Sequence, residues 1–184
     1  MKKVLCILLS ICLLMSFTAC SKKEESSSKS NLDLEYYAKL GKIPECDYVL
    51  GEDVEKVRDE LSDFAESEEG AETLFDEVEG DEVSYITNGN YNFYYKNEKE
   101  DEGISYIVSY GKAYEFETGE LILNVKEALS GTKYTEEDIN DENAFFLFVP
   151  IEGSVIKCEF EKNTVMFVFE NNALCATAIY SNDF

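Results

Sequence analysis

Apolar and polar positions change their period several times along the chain. Val4 to Ala19 holds no charged residue, and Ser21 to Asn31 holds no apolar one. Leu34, Tyr37 and Leu40 then fall at helical spacing, so Leu32 to Gly41 reads as a short helix or turn that Pro44 ends. Val54, Val57, Leu61 and Phe64 are spaced 3, 4 and 3, a single apolar stripe. Asp53 suits the cap of that helix, and the acids of its first turn suit the helix dipole. Glu66 to Glu82 is very acidic and contains Leu74, Phe75 and Val78, which reads as a second short helix or an ordered loop.

From Glu82 the period drops to that of a strand. Val83 to Thr87, Asn88-Gly89 and Asn90 to Lys96 predict a hairpin, because Asn-Gly accepts the positive φ of a tight turn. A polar loop over Asn97 to Glu102 leads to an alternating run from Ile104 to Tyr110, then a turn into Ala113 to Phe116. Leu121 to Leu129 predicts a second amphipathic helix, with Ile122, Val125 and Leu129 on one face and Gly131 stopping it. Thr135 with Asp138 resembles a capping box and predicts one more helical turn. The continuous apolar run Ala144 to Val149 predicts a buried strand. Three strands follow: Ser154 to Glu161, Thr164 to Glu170 and Ala173 to Tyr180.

Two-residue turns at Lys162-Asn163 and Asn171-Asn172 give this last meander one apolar side. It carries Ile156, Cys158, Phe160, Val165, Phe167, Phe169, Leu174, Ala176, Ala178 and Tyr180. Lys157, Glu159, Glu161, Thr164 and Glu170 take the other side, with Met166 and Val168 among them. Cys158 and Cys175 then point to opposite faces of different strands and cannot bond to each other. Helix followed by antiparallel meander occurs twice, at about 44–116 and 119–184. The expected fold class is α+β, with two such units forming a two-layer sandwich and 32–184 folding as a single domain.

Composition removes several functions. The chain has 184 residues, 39 acidic and 16 basic, for a net charge of -23, with no His, no Trp and Arg58 as its single arginine. No basic patch is available to neutralise phosphates, so nucleic acid is excluded as a partner. Without His there is no Ser-His-Asp or Cys-His catalysis and no imidazole ligand.

The start of the chain speaks to location. Lys2 and Lys3 precede the 16 uncharged residues, which span about 24 Å as a helix, short of a bilayer core. This is the form of a signal peptide. The stretch ends Ser16-Phe17-Thr18-Ala19-Cys20, which resembles the lipobox of bacterial lipoproteins, with Phe17 where that family usually has an aliphatic residue. The resemblance implies cleavage before Cys20, a diacylglycerol on its sulfur, and an extracytoplasmic domain held to the cell membrane by lipid. The polar segment after Cys20 is then a tether with an r.m.s. reach of roughly 18 Å. Cys6 and Cys12 leave with the signal, so Cys46, Cys158 and Cys175 remain as thiols or as one pair that includes Cys46. Leu50-Gly51 followed by Val54, Val57 and Leu61, read with the two-unit layout, resembles the small tandem-repeat envelope lipoproteins built on units like the beta-lactamase-inhibitor-protein and BamE-type fold. That resemblance implies protein binding or scaffolding.

Candidate chemistry is sparse. The acidic clusters Glu66-Ser67-Glu68-Glu69 and Glu136-Glu137-Asp138, with Asp141-Glu142, match no EF-hand loop, so no metal site or cofactor is expected. No carboxylate pair stands out for hydrolysis, and no catalytic residue is expected. Nine aromatics lie between Tyr85 and Phe116, too many for one sheet face. Tyr85, Tyr91, Tyr94, Tyr95, Tyr106 and Tyr110 are therefore the candidate interaction surface, since tyrosine is enriched where proteins bind proteins. The expected role is a non-enzymatic module binding an envelope protein. The rival is an accessory that binds a cation or a small ligand.

Overall fold

Local signals set the helices. In the computed structural model, which describes residues 33–67, 73–139 and 152–184, α1 spans Leu34–Leu40 and α2 spans Val54–Glu66. The Asp33 side chain accepts the Tyr36 N–H at 2.9 Å and Asp53 accepts that of Lys56 at 2.8 Å. Each satisfies a donor that has no partner inside the helix. Gly41 closes α1 in the left-handed region, at φ 64°. The third helix, α3, spans Ile122–Ala128. Leu34 and Ala38 of α1, Val54, Val57 and Leu61 of α2, and Ile122 and Val125 of α3 turn inward. Phe64, the fourth member of the expected α2 stripe, is instead 46% exposed.

The strands are β1 Asp76–Val78, β2 Val83–Thr87, β3 Tyr91–Lys96, β4 Tyr106–Ser109, β5 Thr135–Asp138, β6 Ser154–Glu159, β7 Asn163–Glu170 and β8 Ala173–Ser181. They form one sheet in the order β1-β2-β3-β4-β8-β7-β6-β5, antiparallel throughout. The fold is thus α+β, as expected, with its strands in a single antiparallel sheet.

Three expectations need correction. The acidic stretch before Glu82 yields β1, which pairs with β2 from Asp76↔Thr87 to Val78↔Tyr85, in place of a helix or loop. Thr135–Asp138 is the edge strand β5 and not a helical turn. Strand alternation sends Glu136 to Lys126 of α3 on one side and Glu137 to Lys157 of β6 on the other, at 2.7 Å each. A helical turn would not hold both pairs. The third concerns the final meander. The β6–β7 turn lies at Glu161-Lys162, one residue earlier than expected, and this keeps the faces of β6 and β7 unchanged. Between β7 and β8, however, Glu170↔Ala173 and Phe169↔Leu174 give way to Val168↔Ala176 across a bulge that skips Cys175. One extra residue flips all that follow. Ala176, Ala178 and Tyr180 therefore join Met166 and Val168, while Thr177 and Ile179 join Phe167. The Ala144–Val149 run lies outside the described residues.

The sheet consequently has two apolar faces. The larger core lies under the helices and includes Ile86, Phe93, Ile107, Ile156, Cys158, Val165, Phe167 and Ile179, each 0% exposed. The second cluster gathers Tyr94, Tyr106, Val108, Val155, Met166, Val168, Ala176 and Ala178 on the opposite face. Polar bonds lock the helix layer to the sheet. The buried Asn163 amide donates to the Ala38 carbonyl at 2.7 Å, and the Tyr114 hydroxyl donates to the Lys42 carbonyl at 2.9 Å. Among the described residues no helix is long and apolar enough to cross a membrane.

Gly103 shows how tightly the start of α2 docks. It sits at φ 81°, and the Glu52 carbonyl lies 2.5 Å from where a Cβ would be. Around it Gly51 donates to the Ile104 carbonyl at 2.7 Å and Ile104 donates to Glu52 at 2.9 Å. Gly103→Ala combines a left-handed backbone with a steric clash and is expected to cost about 2 kcal/mol or more. Urea unfolding of the variant beside the parent checks this.

Candidate functional site

Strand alternation divides the expected tyrosine surface. Tyr85, Tyr94, Tyr106 and Tyr110 meet on the face away from the helices, while Tyr91 and Tyr95 face the helix layer. The first group forms a row of rings. Centroids lie 4.9 Å apart for Tyr85–Tyr94, 5.4 Å for Tyr94–Tyr106 and 5.5 Å for Tyr106–Tyr180. Phe184 approaches Tyr106 at 5.5 Å, and the Lys96 ammonium lies 5.3 Å from the Phe184 centroid, in cation–π range. The Asn92 amide donates to the Tyr94 hydroxyl at 3.1 Å and to the Tyr110 hydroxyl at 3.2 Å.

Sequence reasoning missed Tyr180 and Phe184. Tyr180 reaches this face only through the bulge, and a regular two-residue turn puts it on the other side. Phe184 ends the chain, where no periodicity can place it. Cys20 lies outside the described residues.

Exposure within the row is uneven. Tyr94 and Tyr106 are 2% and 1% exposed, whereas Tyr85, Tyr110 and Tyr180 are half-buried. Burial pushes the phenol of Tyr106 well above its usual range and raises those of Tyr94 and Tyr110. The thiols behave alike: burial takes Cys46 to about 11 and Cys158 to about 12. All three described cysteines are free, and Cys158 and Cys175 belong to opposite faces. Neutral phenols can stack and donate hydrogen bonds at neutral pH, and neutral thiols are poor nucleophiles. Beyond strand side chains the second cluster draws only on Tyr110, Ile139 and Phe184, so among the described residues no helix packs on this face.

Tyr95 has a different task. Its hydroxyl donates to Glu77 at 2.7 Å. The Nε of Arg58 reaches both Glu77 oxygens, at 3.1 and 3.0 Å, and its Nη2 reaches Glu77 at 2.7 Å and Glu100 at 3.2 Å. The single arginine thus ties α2 to β1, β3 and the 3-10 turn Asn97–Glu102. Its fork geometry suits two carboxylates at once. Arg58, then Tyr95, holds the Glu77 carboxyl below its ordinary range.

The acidic runs are engaged elsewhere or lie out of view. Glu136 and Glu137 are in the ion pairs described above, and Glu68, Glu69, Asp141 and Glu142 lie outside the described residues. Among the described residues no three His, Cys, Asp or Glu side chains group as a metal site would need. Comparison of the chain with protein-family models, with curated proteins and with solved structures gives no match.

Arg58→Ala is expected to lower stability by about 1–2 kcal/mol at neutral pH, a charged hydrogen-bond loss reduced by the partial exposure of the network. Glu77 has a depressed folded pKa, so its contribution is complete above the ordinary carboxylate range. It fades as pH falls through the depressed value. The gap between variant and parent in urea melts should therefore narrow between neutral pH and about pH 3.

Proposed function

We propose that the protein is a lipid-anchored, extracytoplasmic lipoprotein whose mature domain is a non-enzymatic protein-binding module. Cys20 carries the lipid, and 21–31 is the tether. The observation that carries the binding reading is the second apolar face of the sheet. Most sheets backed by helices on one side turn polar on the other. Here tyrosines, valines and alanines continue across β2, β3, β4, β8, β7 and β6, and the half-buried Tyr85, Tyr110 and Tyr180 are its more accessible rings. Such amphipathic rings suit a protein surface.

Charge selects the partner's chemistry. Cleavage before Cys20 removes Lys2 and Lys3 and leaves 14 basic residues against 39 acidic ones. The partner is a basic envelope protein with an apolar patch, since complementary charge speeds the encounter and apolar contact holds it. The same reading takes the domain as two similar units, 44–116 and 119–184, in a two-layer arrangement. A helix precedes each meander, and the strand order reverses about the β4–β8 pair, which supports that view.

The test is capture on the detergent-solubilised, full-length protein. A partner retained at both low and high salt, and lost on Tyr110→Ala with Tyr180→Ala, is expected. Retention at low salt alone would reduce the surface to an ion exchanger and sink the reading. The anchor is tested separately: labelled fatty acid should enter the parent and be absent from Cys20→Ser.

A further inference from the structure

A cavity of about 330 Å³ lies away from the tyrosine row, between the loop after α1, the helix α2 and the β2–β3 hairpin. Its walls are aromatic. Tyr48 meets Phe93 edge-on at 5.2 Å, and Tyr91 stacks on Phe93 at 6.0 Å. The exposed Phe64, which the α2 stripe does not bury, also lines it. Three carboxylates, Glu45, Asp47 and Glu60, also line it, together with Cys46, Leu61 and Asn88.

These carboxylates have different duties. Glu45 accepts the Tyr114 N–H at 3.0 Å and helps hold the loop in place. Asp47 and Glu60 are exposed. The ion pairs among the described residues include none of the three. The nearby Lys56 is paired with Glu52 at 2.6 Å. Burial, then Glu60, lifts the Tyr48 phenol to about 12, and burial with Cys46, Glu45 and Asp47 does the same for Tyr91. The phenols therefore stay neutral and line a space bordered by negative charge.

That combination selects by sign and by shape. An anion is repelled by the carboxylates. A divalent metal needs six or more converging oxygens; Glu45 already accepts backbone N–H groups, and among the described residues the carboxylates here do not group as a metal site needs. An alkylammonium group satisfies both parts, laying methylenes and charge against the rings while its N–H groups reach the carboxylates. The volume is at the small end for ligand sites, enough for one side chain or headgroup. We propose that this cavity is a binding site for an alkylammonium group, supplied either by a lysine side chain of a polypeptide or by a free amine.

The test uses the full chain in an uncharged sugar detergent, with the ring resonances of Tyr48, Tyr91 and Phe93 followed by NMR. The probes are n-butylammonium, the neutral isostere n-butanol, and the tripeptide acetyl-Gly-Lys-Gly-amide. Saturable shifts with both cationic probes and none with the alcohol are expected. Glu60→Gln, a surface change that should leave melting unaltered, should weaken binding severalfold, and Tyr91→Leu about tenfold. Tighter binding of the tripeptide would identify a polypeptide lysine as the source, and equal or tighter binding of butylammonium a free amine. Equal binding of the alcohol, or no saturable shift with either cation, would overturn the proposal.

Discussion

The pairing of β4 with β8 is the contact on which the architecture depends. Four residue pairs, Tyr106↔Tyr180, Ile107↔Ile179, Val108↔Ala178 and Ser109↔Thr177, join two meanders that would otherwise each present an open edge. All eight residues are buried or half-buried. Ile107 and Ile179 are each 0% exposed under the helices. On the far side Tyr106 meets Tyr180 edge-on, next to Val108 and Ala178. The seam therefore belongs to both apolar clusters, and the two faces of the sheet are stabilised or lost together.

The bulge at Cys175 decides what the far face contains. Without it Ala176, Ala178 and Tyr180 would enter the helix-side core and leave Thr177 and Ile179 outside. With it, one aromatic row crosses the seam from Tyr85 to Tyr180. Small residues at Ala176 and Ala178 leave room beside the larger Met166, Val168 and Tyr106. The Cys175 thiol donates to the Val168 carbonyl at 3.2 Å, within the bulge itself.

What could be read from the chain follows from which forces are local. Caps at Asp53, the Val54–Val57–Leu61 stripe and the Ile122–Val125–Leu129 stripe are set within a few residues, and they hold. The hairpin around Asn88-Gly89 is equally local, although its two-residue turn falls at Gly89-Asn90, one residue later than expected, which leaves the faces of both strands unchanged. β1 and β5 were illegible because each is a short acidic edge strand whose conformation comes from its neighbour's ladder and not from its own sequence. The bulge is a single inserted residue with no compositional mark, so a regular register was the natural reading, and it misplaced Tyr180. The candidate surface was legible in part. Alternation correctly separates Tyr94 from Tyr95, but only the fold shows that Tyr95 serves Arg58 and Glu77, and that Tyr91 lines a cavity with Tyr48, distant in sequence.

The central claim is that the tyrosine row on the far face contacts a partner in the envelope. Tyrosine nitration, mapped by peptide mass spectrometry on intact cells and on the purified protein, tests it most directly. Tyr36, 54% exposed and on α1, should react in both and serve as the reference. Tyr94 and Tyr106 should react in neither. Tyr85, Tyr110 and Tyr180 should react in the purified protein and be protected on the cell. Equal reactivity of these three in both settings would contradict the account.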